Sequence, residues 1–285
     1  MNTKNISEKN IQTFIKAALE EDEGTGDVTS LATISSDATG LAKCIVKENC
    51  IIAGIELADL IFAEVDSSLI TEWNYSDGNN IAANTIIGTV KGKTRSILLA
   101  ERLVLNCMQR MSGIATATNK LVQLVKPYGT KILDTRKTTP NFRVCEKWAV
   151  RIGGGINHRF GLDDAILIKD NHINAAGSIE QAINQCDSYI QSNKLNIPVI
   201  VEVRNLIELQ IALASNIIDR ILLDNFSPEL MKEAVALVNK QKPLEASGGI
   251  NVSNILSYAK TGIDFISLGM LTHHVQSIDI SLKLN

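Results

Sequence analysis

Residues 199–250 read VIVEVRNLIELQIALASNIIDRILLDNFSPELMKEAVALVNKQKPLEASGGI, and the rhythm of that stretch decides the fold. Short apolar runs at Val199–Val201, Arg220–Leu223 and Leu244–Ala246 alternate with helical spacing at Leu206–Ala214 and Pro228–Val238. With the run Phe265–Leu268 added, four strand starts fall 21 to 24 residues apart. That is the beat of βα units with short loops, hence of a parallel sheet. Upstream, Lys131–Leu133 and Ala165–Ile168 read as two further strands, and Ser178–Ile190 and Val252–Ala259 as helices. About six strands leave two architectures open, a doubly wound sheet or an α/β barrel that need not be complete.

The first ~110 residues follow a different pattern, which reads as α+β. Ile11–Glu20 and Ile97–Met111 have helical spacing, and Ala42–Val46 and Ile86–Lys91 alternate like half-buried strands. The 285 residues are 45% hydrophobic and 21% charged, enough for one large domain or two modest ones. The net charge of −3 provides no global field for nucleic acid or an anionic membrane. Cys44, Cys50, Cys107, Cys145 and Cys186 are scattered without a C-x-x-C pair and read as reduced thiols. The longest apolar stretch, Ile51–Val65, is interrupted by Glu56, Asp59 and Glu64 and is too short for a membrane span. The N-terminus MNTKNISEKN lacks an apolar signal region, so the expected location is cytoplasmic.

The strand ends point to one functional rim, because parallel sheets and barrels bind ligands at the carboxyl ends of their strands. Asp134-Thr135-Arg136-Lys137 follow the first strand and Lys169-Asp170-Asn171-His172 the second. Glu202 and Asp224 end the next two, Ser247-Gly248-Gly249 the fifth, and Gly269, shortly before His273, the last. Arg136, Lys137, His158, Arg159 and Lys169 lie on consecutive connections, and Arg102 on the long helix of the other half. Such a cluster in a slightly acidic chain implies a polyanionic ligand. Glu202 and Asp224 either suit a Mg²⁺ that bridges to substrate phosphates or serve as counter-ions to the cations. Ser247-Gly248-Gly249 offers a phosphate its backbone N–H groups and the start of a helix.

Two tempting motifs fail. Gly88–Thr94 is one residue short of a nucleotide-binding P-loop, and Gly153-Gly154-Gly155 does not follow a strand as a dinucleotide fingerprint does. The His and Cys spacing offers no zinc site.

The segments EDEGTGDVTS (21–30), ERLVLNCMQRMSGIAT (101–116), ILDTRKTTP (132–140) and AVRIGGGINHRFGLDDAILIKDNH (149–172) occur in that order. VEVRN (201–205), ILLDN (221–225), EASGGI (245–250) and ISLGMLTH (266–273) follow. Together they resemble the quinolinate phosphoribosyltransferase family over nearly the whole chain. The resemblance implies an incomplete α/β barrel, residues 113–274. It also implies an N-terminal α/β sandwich domain, residues 1–112, rejoined by 275–285. It implies transfer of the phosphoribosyl group of phosphoribosyl pyrophosphate (PRPP) to quinolinate with decarboxylation, in NAD biosynthesis.

By motif, Arg102, Thr135, Arg136, His158, Arg159 and Lys169 would surround quinolinate. Lys137, Ser247, Gly248, Gly249, Leu268, Gly269 and His273 would lie near PRPP. Glu202 and Asp224 would serve Mg²⁺, and Lys137, Lys169, Glu202 and Asp224 would be the catalytic set. A homodimer is implied too, with Arg102 lent to the neighbour's site. Asn141 stands where the family commonly has glycine, Arg204 where it commonly has a second glutamate, and Met270 and His274 are also unusual. A relative acting on another pyridine or anion keeps this fold; molybdenum-associated proteins of similar sequence are one such group. A Schiff-base lyase using Lys169 and a non-catalytic phosphate-binding module are the alternatives from other classes.

Overall fold

The computed structural model of the chain describes residues 8–284. Its elements begin with α1 (Glu8–Glu23), α2 (Val28–Thr33), β1 (Thr39–Val46), β2 (Cys50–Ile51), α3 (Ile55–Val65), β3 (Ile70–Trp73), β4 (Asn80–Ile81) and β5 (Thr85–Lys93). They continue with α4 (Thr94–Val125), β6 (Lys131–Leu133), α5 (Arg143–Ile152), β7 (Ile166–Ile168), α6 (Asp170–Ala176), α7 (Ile179–Asn193), β8 (Val199–Val203) and α8 (Leu206–Ala214). The last are β9 (Arg220–Asp224), α9 (Pro228–Val238), β10 (Leu244–Ser247), α10 (Ile255–Ala259), β11 (Phe265–Ser267), α11 (Met270–His273) and β12 (Ile280–Leu284). Two compact units result. One holds the residues up to 120, 137–155 and those from 271 onward; the other holds 121–136 and 156–270.

In the second unit, six strands pair in the order β6-β11-β10-β9-β8-β7, all in parallel. No pairing among the described residues joins β7 back to β6, so the sheet is an open, incomplete barrel. All five residues of β8 are buried, as expected of a parallel strand covered on both faces. Local capping explains why α8 and α9 start where periodicity places them. Asn205 Oδ1 accepts the Glu208 N–H at 2.9 Å, and Ser227 Oγ accepts the Leu230 N–H at 3.2 Å ahead of Pro228. The helix expected from Val252 starts only at Ile255. Asn251 and Asn254 form a side-chain-bonded turn before it, in which Asn254 Oδ1 accepts the Asn251 N–H at 2.7 Å.

The first unit is built on the antiparallel sheet β12-β1-β5-β3, so the chain's last strand pairs with its first. The apolar stretch from Ile51 is helical where it is longest. α3 buries Ile55, Leu57, Ala58, Ile61 and Phe62, the spacing of one helical face. Phe62→Ala would cost about 3–5 kcal/mol by opening that core. In α4, Ile97, Ala100, Val104, Met108, Met111 and Ala115 are buried at three- and four-residue intervals. EDEGTGDVTS forms the junction between α1 and α2: Asp27 Oδ1 accepts the Ser30 N–H at 3.0 Å and caps α2. That cap gives Asp27 a structural role. Gly153 and Gly155 serve packing. A Cβ at Gly153 would lie 2.5 Å from the Ala115 carbonyl, and one at Gly155 2.7 Å from Val150, so the end of α5 packs closely on α4.

Candidate active site

Sheet register aims the carboxylates. Ile168 aligns with Val201, so the next residues, Lys169 and Glu202, stand level and project to the same face. Lys169 Nζ lies 3.4 Å from Glu202 Oε2. Burial pushes the Glu202 carboxyl above its ordinary value and the Asp224 charge adds to this, while Lys169 pulls the other way. Asp224 ends the adjacent strand and accepts a hydrogen bond from Asn225 Nδ2 at 2.7 Å. Two acidic side chains that sense each other beside a lysine suit a Mg²⁺ held mainly by water and ligand oxygens. No group of three or more His, Cys, Asp or Glu that could hold a metal ion occurs among the described residues.

The unusual Arg204 turns away from this pair. Its backbone N–H donates to Glu208 Oε2 at 2.8 Å and its Nε to Glu208 Oε1 at 3.1 Å, clamping the first turn of α8. His172 is likewise a local cap, its Nδ1 accepting the Lys169 N–H at 2.9 Å.

The cationic loop is fixed from below. Asp134, fully buried at the end of β6, accepts the His158 N–H at 2.8 Å and Asn157 Nδ2 at 2.6 Å. His158 is buried; its Nδ1 accepts the Arg159 N–H at 2.8 Å and its Nε2 lies 3.4 Å from Glu245 Oε2. Glu245 is fully buried on β10 and also faces Arg220 Nε at 2.9 Å. Neither contact is an aligned hydrogen bond: Arg220 meets the carboxylate charge to charge, and His158 faces it with its ring nitrogen Nε2. Burial alone would raise the Glu245 carboxyl, but His158 and Arg220 outweigh it and hold the group below its ordinary value.

The Arg159 guanidinium is pushed below its ordinary value, first by burial and then by the Arg136 charge. Its Nη1 donates to the Ala165 carbonyl at 3.1 Å, and its buried Nε has no hydrogen-bond partner. A partly buried guanidinium with an unmet donor, in the field of a second cation, suits an anion.

The Ser247-Gly248-Gly249 turn crosses the ends of β9 and β10. The Asn225 N–H donates to the Ser247 carbonyl at 2.9 Å. Gly248 has φ +92° and a Cβ there would fall 2.2 Å from Asn225 Oδ1; Gly249 has φ +63° with open space beside it. Such backbone can approach a phosphate closely, but the expected helix start is not next to it, since α10 begins at Ile255. Leu268 is buried, and its N–H donates to the Leu133 carbonyl at 3.0 Å; Gly269 follows in the same unit.

Arg102, Lys137 and His273 belong to the first unit. Arg102 is exposed on α4. The His273 imidazole is exposed and is lowered by slight desolvation, by the touching ring of His274 and by the Lys137 charge. Beneath them lies an unanticipated network. Glu146 is fully buried and meets Arg110 Nε at 2.8 Å, the Thr139 N–H at 3.0 Å and Thr139 Oγ1 at 2.9 Å. Arg110 Nη2 donates to the Thr272 carbonyl at 2.7 Å, and Thr272 Oγ1 to the Lys137 carbonyl at 2.6 Å. Asn141, after the TTP turn, has φ +62°, a conformation that glycine favours and asparagine tolerates. The departure at that position therefore preserves glycine-like backbone.

Residues 27–112 match the family model for the quinolinate phosphoribosyl transferase N-terminal domain, and residues 114–283 that for the C-terminal domain. Over 286 residues the chain is 46% identical to the quinolinate phosphoribosyltransferase [decarboxylating] 1b of Nicotiana tabacum, covering 95% of this chain and 81% of that protein. The nicotinate-nucleotide pyrophosphorylase structure from Francisella tularensis is 44% identical with TM-score 0.90, covering 97% of this chain and 96% of that one. The NadC structure from Streptococcus pyogenes is 36% identical with TM-score 0.92, covering 98% of each chain.

Proposed function

The chain belongs to the quinolinate phosphoribosyltransferase family, and from that premise we propose how its own residues carry the reaction. The reaction is that of a decarboxylating pentosyltransferase in NAD biosynthesis. The ring nitrogen of quinolinate attacks the anomeric carbon of PRPP, pyrophosphate leaves, and loss of the C2 carboxylate as CO₂ gives nicotinate mononucleotide. The observation that carries the assignment of residues is Arg159, whose buried Nε has no hydrogen-bond partner and whose guanidinium lies in the field of the Arg136 charge.

Quinolinate has two adjacent carboxylates, and a site for it needs several converging cations. Arg136, Arg159 and Lys169 supply them, with Thr135 and His158 completing the cradle and Arg102 added from a neighbouring copy in a homodimer. The exposure of Arg102 on α4 is compatible with that loan. By the family motif, Lys137, Ser247, Gly248, Gly249, Leu268, Gly269 and His273 would serve PRPP. The backbone at Gly248 and Gly249 receives phosphate oxygens, and Lys137 meets charge building on the leaving pyrophosphate. Glu202 and Asp224 would hold Mg²⁺, which when bound neutralises pyrophosphate charge. Lys169, level with Glu202 at 3.4 Å, keeps those carboxylates in place and faces the substrate as a fixed charge. A carboxylate so close suits that electrostatic role better than a nucleophilic one.

Positioning and fixed charge then do most of the work. Once alkylated, the pyridine nitrogen is positive and stabilises the carbanion left at C2 as CO₂ departs, and a proton from solvent then takes the place of the carboxylate. The same proposal divides the chain by family domain into an N-terminal sandwich, 1–112 with 275–285, and a barrel, 113–274. A cytoplasmic address belongs to the same proposal and is supported by five free cysteines. No described helix is long and apolar enough to cross a membrane.

The test is a product assay with Mg²⁺, PRPP and quinolinate labelled in its C2 carboxylate, with nicotinate in parallel. Labelled CO₂ and nicotinate mononucleotide from quinolinate, and no product from nicotinate, support the assignment. Folded protein that turns over neither substrate refutes it. Arg159→Met with unchanged quinolinate KM refutes the cradle.

A further inference from the structure

Glu245, Arg220 and His158 form a charged column in the interior of the second unit. Row alignment places Glu202, Leu222 and Glu245 level on neighbouring strands, so Glu245 projects to the same face as the site carboxylates. Unlike them it is fully buried and cannot touch a substrate. Arg220 begins β9, is also buried, and lies over the Phe265 ring at 5.2 Å. A buried ion pair is a weak source of stability, and an apolar pair of similar volume is often no worse. What this one does supply is direction.

His158 Nδ1 accepts the Arg159 N–H, which leaves the ring proton on Nε2, facing Glu245. The loop is thus held at two points: Asp134 fixes its backbone, and Glu245 fixes the ring that in turn holds the Arg159 backbone. We infer that Glu245, backed by Arg220, is a positioning residue for the quinolinate cradle, acting through His158 to set the direction of Arg159. This rests on the quinolinate role given above to His158 and Arg159. Arg220 keeps the carboxylate charged at that depth, and the carboxylate keeps the imidazole in one orientation. With the ring released, the Arg159 guanidinium loses its fixed starting point beside Arg136.

The experiment compares Glu245→Gln, Glu245→Asp and the double variant Arg220→Met/Glu245→Gln, which removes both buried charges, with Arg159→Met as control. Steady-state KM and kcat are measured against quinolinate and against PRPP, with thermal unfolding to verify folding. The expected result is a quinolinate KM raised about 10–100-fold in Glu245→Gln and in the double variant, the range found when an orienting residue behind a binding group is lost. The PRPP KM stays within about twofold, since neither Glu245 nor the His158 ring it orients is among the residues assigned to PRPP. Glu245→Asp recovers part of the loss. A folded double variant with wild-type quinolinate KM overturns the inference, as does an equal rise in both KM values. Failure of both neutral variants to fold makes Glu245 a scaffold residue and also overturns it. If Arg159→Met raises the quinolinate KM while the Glu245 variants do not, the cradle stands and only the inference fails. If Arg159→Met changes nothing, both fail.

Discussion

Glu146→Gln removes one charge from a fully buried carboxylate while keeping its shape. Glu146 receives Arg110 at 2.7–2.8 Å and two groups of Thr139 at 2.9–3.0 Å. Hydrogen bonds to a charged group contribute about 1.5–3 kcal/mol each. A glutamine must also turn its NH₂ toward either Arg110 or the Thr139 N–H, setting donor against donor. Arg110 keeps 28% side-chain exposure, so water recovers part of its loss. The net cost is about 2–4 kcal/mol, below the ~3–5 kcal/mol for breaking a wholly buried pair. At ~2–4 °C per kcal/mol, Tm falls by roughly 4–16 °C. Thermal unfolding by circular dichroism measures it, and a double-mutant cycle with Arg110→Met isolates the pair. Because Arg110 also holds the Thr272 carbonyl, and Thr272 the Lys137 carbonyl, the PRPP KM should rise more than the quinolinate KM. A stability loss under about 0.5 kcal/mol, or strict additivity with Arg110→Met, would refute the reasoning.

Arg159→Met should lower kcat/KM for quinolinate by about 10–150-fold, the equivalent of losing one charged hydrogen-bonding partner; steady-state kinetics against both substrates checks it. Gly248→Ala meets both a left-handed φ of +92° and Asn225 Oδ1 at 2.2 Å. It should cost about 1–3 kcal/mol and weaken PRPP binding, seen by unfolding and by titration calorimetry. Among the cysteines, four are buried, and burial pushes Cys44 and Cys107 up to about 12 and Cys50 up to about 11. Native protein should therefore release colour from a disulfide thiol reagent only at Cys186, and all five thiols should react after unfolding.

The second unit was the more legible because each signal there is local. β6, α8 and α9 fall on the bounds that periodicity expects, with Asn205 and Ser227 as visible caps. α5 was not legible. RVCEKWAVRI carries Arg143, Glu146, Lys147 and Arg151 at helical spacing, yet every residue from Val144 to Val150 is buried, so its charges do not mark a solvent face. Strand ends marked Glu202 and Asp224 as a pair, but Arg204 beside them needed the folded chain to reveal its grip on Glu208.

The Glu245 column was hidden for a different reason. His158, Arg220 and Glu245 lie far apart in sequence and meet only through sheet register. The one available clue was a glutamate inside an apolar run just before Ser247. The Arg110–Glu146 pair joins α4 to α5 and gave no clue beyond an arginine on the helix expected over Ile97–Met111.

The pairing of β12 with β1 sets a timetable for biosynthesis. β1 leaves the ribosome early, yet its outer edge is covered only when residues 280–284 arrive. At roughly 5–20 residues per second, the wait is on the order of 10–50 s. During that interval the nascent sheet displays an uncovered strand with apolar alternate residues, a template for pairing with other chains. Translation speed and chaperone supply should therefore govern the soluble yield of this protein more than its final stability does, and a stop codon a few residues early should be felt first as aggregation.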